Sequence, residues 1–213
     1  MSPSANSELV TVIQIAISPK GLDATAITAA DTVRRLLGFG DRLAALRRQR
    51  WTELTLAGQT AAGADSVLAD LDQFVGSSFD LWNSNKERCW LRYGFGAKVD
   101  GAAEYIPNQG REPAPWGAPP LDGTRWDHLV IWDSAGESVP TPSHFGGRQV
   151  VGNAAGEVYS FQWGEEVDEA TRRSWIDELA VVRTRERGLL VQPHYQEHAV
   201  FCGSLPSGIQ GRS

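Results

Sequence analysis

The sequence predicts an α+β fold, and three observations carry that prediction. Apolar residues over about the first 90 positions of the 213 alternate between two-residue and helical periods in the order β-α-β-β-α-β. A stretch dense in Pro and Gly then breaks all periodicity between residues 100 and 125. Beyond it the chain closes again on a helix followed by a strand.

Leu9 to Ile17 reads as a strand, with Leu9, Thr11, Ile13, Ile15 and Ile17 on one face. Ser18-Pro19-Lys20-Gly21 punctuates it. Ile27, Ala30, Val33 and Leu37 recur at helical spacing from Ala26 to Leu37, and Gly38 and Gly40 stand where the helix would be capped. Arg42–Arg50 and Trp51–Leu56 read as two strands. A helix over Ala64–Val75 buries Val67, Leu68, Leu71, Phe74 and Val75, and Cys89–Phe95 is a further strand.

Residues 100–125 carry Pro107, Pro113, Pro115, Pro119 and Pro120 among four glycines, which reads as a linker or a functional lid. A strand follows at Asp127–Asp133, then a loop over Ser134–Gly147. Gln149–Val151 and Glu157–Trp163 read as a hairpin turning on Asn153-Ala154-Ala155-Gly156. Asp168 caps a helix running to about Arg185, and Leu189–Val191 with Ala199–Cys202 supply the closing strand. The helix, Leu-rich segment and strand that end each half repeat in pattern.

Two helices on one side of an antiparallel sheet is the ferredoxin-like arrangement, so the expectation is two ferredoxin-like βαββαβ-type units in tandem, the second incomplete. The divisions are a first unit over residues 8–99, a Pro/Gly-rich linker over 100–125 and a second α+β unit over 126–205. The uncovered side of such a sheet is expected to be available to a partner.

Val10-Thr11-Val12-Ile13-Gln14-Ile15, Lys20-Gly21-Leu22-Asp23, Thr32-Val33-Arg34-Arg35-Leu36-Leu37-Gly38-Phe39 and Trp51-Thr52-Glu53-Leu54-Thr55-Leu56 together resemble the PurS family. PurS is the small subunit of formylglycinamidine ribonucleotide synthase, an amidotransferase of purine biosynthesis. The family's closing L-L-A-N-P segment has counterparts in Leu81-Trp82-Asn83-Ser84-Asn85 and in Leu189-Leu190-Val191-Gln192-Pro193. Asp23-Ala24-Thr25-Ala26 departs from the family's D-P-Q-G, and the resemblance covers residues 8–96. It implies a ferredoxin-like, non-catalytic subunit that bridges the synthase and glutaminase partners, and it carries over no catalytic residue.

Composition narrows the function. A net charge of −6 argues against nucleic acid as the main partner. No apolar run is long enough for a membrane span, and the N-terminus lacks a basic signal region, so a cytoplasmic protein is expected. Two cysteines make no disulfide framework. Eight tryptophans exceed what a small core usually holds, so some of the rings are candidates for a binding face.

Chemistry-bearing residues are few. His194-Tyr195-Gln196-Glu197-His198 fits H-x-x-E-H, which on a helix would place both histidines on one face for a zinc ion. On a strand the histidines would lie about 13 Å apart, too far for one metal. Cys202 with His194 or His198 would make a nucleophile and base, as would Cys89 with a distant histidine. Arg34, Arg35, Arg47 and Arg48, with Trp51 and Trp116, are the binding candidates, because guanidinium forks suit phosphate or carboxylate. The reading that follows is a binding or assembly subunit with a protein partner or a homo-oligomeric state, and no metal or cofactor. The alternatives are a hydrolase built on Cys202 or the histidine pair, and a protein-binding inhibitor or immunity-type factor.

Overall fold

The computed structural model describes residues 11–57, 64–95, 101–114, 126–133, 140–164, 166–180, 189–192, 194–203 and 205. Their order is β1 (Thr11–Pro19), α1 (Ala24–Arg35), β2 (Leu43–Leu56), α2 (Ala64–Ser77), β3 (Glu87–Phe95), β4 (Gly101–Ile106), β5 (Gly110–Pro113), β6 (Asp127–Asp133), β7 (His144–Phe145), β8 (Arg148–Trp163), α3 (Glu169–Ala180) and β9 (Gln196–Cys202). The strands form one antiparallel nine-stranded sheet ordered β5-β4-β3-β1-β2-β8-β6-β9, with β7 paired to β8. Thus β1 lies between β2 and β3 as β6 lies between β8 and β9, and β2 joins β8 at the centre.

Local chemistry accounts for the element ends. Asp23 caps α1 by accepting from the Ala26 amide at 3.0 Å, and Gly38 beyond the helix takes φ 76°, a conformation that suits glycine. Asp168 caps α3 in the same way, through the Thr171 amide at 2.9 Å. The Trp82 indole donates to the Val75 carbonyl at 2.9 Å and so seals the end of α2.

Three stretches differ from the sequence expectation. Arg42–Arg50 and Trp51–Leu56 are not two strands: β2 runs unbroken over 14 residues. Nothing between Arg50 and Trp51 interrupts the alternation. The expected turn at Asn153-Ala154-Ala155-Gly156 is likewise absent, and β8 runs through it for 16 residues. Gly156 is there for close approach, since a Cβ at that position would lie 1.9 Å from the Ile131 carbonyl oxygen of β6. Within the expected linker, β4 and β5 form a hairpin on β3, turning where Asn108 and Gly110 take positive φ.

The sheet's helix-bearing face holds two cores, and each draws on both halves of the chain. The first packs α2 on Ile13, Ile15, Leu54 and Leu91 and is completed by Phe145 from β7. Phe145 meets Phe74 edge to face at 5.6 Å between ring centres. The second packs α3 on Leu129, Ile131 and Phe161 and is completed by Ala30 and Val33 of α1, with Phe39 and Leu43. The opposite face is not left open over its centre. Trp51, Val130, Ala154 and Val158 are buried there with Leu205, whose carbonyl accepts from Arg92 at 2.7 Å.

Candidate functional site

The site arises from a mismatch in strand length. Pairing of β2 with β1 ends at Ile17 and Arg50, whereas pairing of β2 with β8 continues to Leu43 and Trp163. Leu43–Gln49 therefore overhangs β1. The β1–α1 turn and the first turns of α1 roof the gap, and Arg34 ties α1 to the start of β2 through the Leu43 and Ala44 carbonyls at 2.9 and 2.7 Å. What remains is a cavity of about 430 Å³, within the range of small-molecule sites. Its sheet side carries Arg47, Arg48, Gln49, Arg88 and Trp90, and its roof carries Leu22 and Ile27.

Three arginines and one carboxylate, Asp23, are among the lining residues. Arg48 is held by Glu157, which in turn accepts from the Tyr159 hydroxyl at 3.0 Å, and Asp23 lies 3.9 Å away. The hydrogen bond from Arg48, with its charge, keeps the Arg48 pKa high; burial works to raise that of Glu157 but Arg48 holds it below the carboxylate norm. Even so, Arg48 Nε is buried without an acceptor. Arg88 is exposed and 3.5 Å from Glu104. Arg47 has no carboxylate partner among the described residues; its guanidinium lies over the Trp126 ring at 4.9 Å, and burial lowers its pKa. The lining thus carries more cationic than anionic side chains, beside apolar ones. A neighbouring cavity of about 320 Å³ on the helix-bearing face has the opposite balance, with Asp80, Asp133 and Glu157 facing Arg50.

The structure separates the other candidates. Arg35 is exposed on the last turn of α1, and Arg34 is engaged with backbone carbonyls. Trp116 lies outside the described residues. His194 stands in the turn before β9, while Glu197 and His198 are adjacent on β9 and therefore face opposite sides of the sheet. The H-x-x-E-H segment is thus a turn and strand rather than a helix, and Glu197 accepts from the Trp132 indole at 3.1 Å. His198 and Cys202, four residues apart on a strand, are separated by about 13 Å. The Cys202 thiol has its pKa pushed up by burial and then by Asp127, and that of Cys89 is pushed up by burial in the first core, so neither is an activated nucleophile. No group of three or more His, Cys, Asp or Glu able to hold a metal occurs among the described residues.

Tryptophans converge instead on the face opposite the helices. Trp90, Ala16, Trp51, Gly156 and Trp132 occupy one row across β3, β1, β2, β8 and β6. Trp90 donates to Ser18 at 3.0 Å, whereas Trp51, 1% exposed, has a buried indole N–H without a partner. Trp90 joins this row to the arginine pocket. It falls within the strand that the sequence predicts at Cys89–Phe95, but its place beside Arg47 in the cavity lining depends on the pairing of three distant segments. No family model matches the chain, and no curated protein or solved structure matches it.

Proposed function

We propose that this chain is a non-catalytic binding subunit that holds an anionic group in the arginine pocket beside β2. The observation that carries the reading is that Arg47, Arg48 and Arg88 all belong to the lining of one cavity of about 430 Å³ whose single lining carboxylate is already engaged in capping α1. Donors for an oxyanion are present there, while an activated nucleophile with a general base is not among the lining residues. Titration with inorganic phosphate and with acetate tests it. Binding of either is expected to weaken with added salt and to fall at least tenfold in Arg47→Ala/Arg88→Ala. Undetectable binding, or binding indifferent to both arginines, removes the reading.

The PurS-like pattern of residues 8–96 supports a wider role, as an assembly component of an amidotransferase-type synthase, with the two halves taken as ferredoxin-like units fused through the β2–β8 pair. A strictly monomeric protein with no synthase or glutaminase subunit co-purifying from its native host would remove this role and leave the anion site standing.

A further inference from the structure

We infer that the ligand of the arginine pocket is a small amphiphilic acid, an anionic head on an apolar body, rather than a bare inorganic anion. The inference rests on the pocket being an anion site and goes further, to what lies beyond the head group. Two of the exposed large hydrophobic side chains among the described residues, Leu22 at 90% and Ile27 at 46%, belong to the lining of this cavity. Neither packs into a core, and both line the same cavity as the arginines. With Pro19, Ala26 and Leu46 they make much of the lining apolar, while Arg47, Arg48, Gln49 and Arg88 make the rest polar. A single oxyanion satisfies the guanidinium groups and leaves the apolar lining wet. An apolar body of several carbons dries that lining and fills a space of about 430 Å³.

The head group is set by the arginines. Among the described residues, Arg47 brings a guanidinium whose partner is an aromatic face, Arg48 Nε is a buried donor without an acceptor, and Arg88, 3.5 Å from Glu104, is exposed at the cavity. A planar fork suits carboxylate and phosphate alike, so the shared chemistry is an oxyanion that accepts two donors at once.

Calorimetric titration of the full chain with acetate, inorganic phosphate, octanoate, octyl phosphate and 1-octanol separates the contributions. Octanoate or octyl phosphate is expected to bind at least tenfold more tightly than the corresponding bare anion, and the stronger of the two names the head group. Octanol, which has the body without the charge, is expected to bind at least tenfold more weakly than octanoate. Leu22→Asn alters a side chain that is 90% exposed and adds no charge, so folding is unaffected; it should bring octanoate down toward the level of acetate while acetate itself changes less than threefold. Arg47→Ala should weaken every anionic probe. If octanoate and octyl phosphate bind no better than acetate and phosphate, the amphiphile inference falls and the anion site stands. If no anionic probe binds, both fall.

Discussion

His128 on β6 has its Nδ1 2.9 Å from Ser160 Oγ on the face opposite the helices. Burial drives its pKa down to about 4, against the weaker pull of Asp127 and the Gly203 backbone in the other direction. The folded form therefore holds a neutral imidazole where the unfolded chain, with a pKa of about 6.5, takes up a proton. Stability from this group is fully present above pH ~6.5, declines as pH falls toward ~4, and stays lost below that. A shift of this size is worth about 2–3 kcal/mol after allowance for partial exposure. Urea unfolding of His128→Gln, which keeps a polar side chain but cannot titrate, should depend less on pH than wild type by that amount across this window. Equal slopes would mean that His128 is solvated. Asp127, beside it, illustrates the complementary case: it is 1% exposed yet accepts from Arg172, Trp163 and the Gly203 amide at 2.8, 2.9 and 3.0 Å. Three donors offset the desolvation of a carboxylate this deeply buried.

Among the elements, β2 and β8 show why turn signals mislead when a backbone has a long partner. Asn153-Ala154-Ala155-Gly156 has turn composition, but Glu53, Thr52 and Trp51 lie directly opposite Ala154, Ala155 and Gly156 and supply pairing throughout. Small residues are tolerated because neighbouring segments need the space. Gly156→Ala would drive a methyl group into the Ile131 carbonyl of β6, with the Trp132 Cα 3.1 Å away on the same strand. A loss of at least ~3 kcal/mol is expected, since relief requires parting β6 from β8. Chemical denaturation measures it, and an unchanged midpoint would mean that the two strands separate easily there. The helices were more legible: the stripe of Val67, Leu71, Phe74 and Val75 matches the buried face of α2, and Asp127–Asp133 has the same bounds in sequence and structure. Short-range periodicity suffices where one face is buried and the other wet. Gly101–Pro113 escaped it, because strands of six and four residues carry too few alternations to register.

At the scale of the whole molecule, the halves complete each other. Phe145 of the second half closes the core under α2, and Ala30, Val33 and Leu43 of the first close the core under α3. Among the described residues, the overhanging end of β2 has its sheet partner in β8. A fragment ending before residue 126 should therefore lack cooperative unfolding by circular dichroism, and mixing it with the remaining fragment should restore the transition. A sharp transition in the isolated fragment would show the halves to be autonomous. The same interdependence explains which parts of the candidate site were readable. Arg47 and Arg48 stand out as a basic run in an acidic chain, and Trp51 stands out by type. Arg88, Trp90, Leu22 and Ile27 do not, because nothing near them in sequence distinguishes an ordinary strand or helix face from a cavity wall.

The sequence by itself determined the α+β class, the positions of most strands and helices, and which side of each is apolar, since these follow from periods of two and 3.6 residues and from caps within a few positions. Only the tertiary structure decided that β2 outruns β1, that β8 rather than a turn continues it, and that Lys20–Asp23, Leu46–Gln49 and Arg88–Trp90 enclose one space. Register between distant strands is set by the packing of every side chain at once, so the gap that makes the pocket has no local signature.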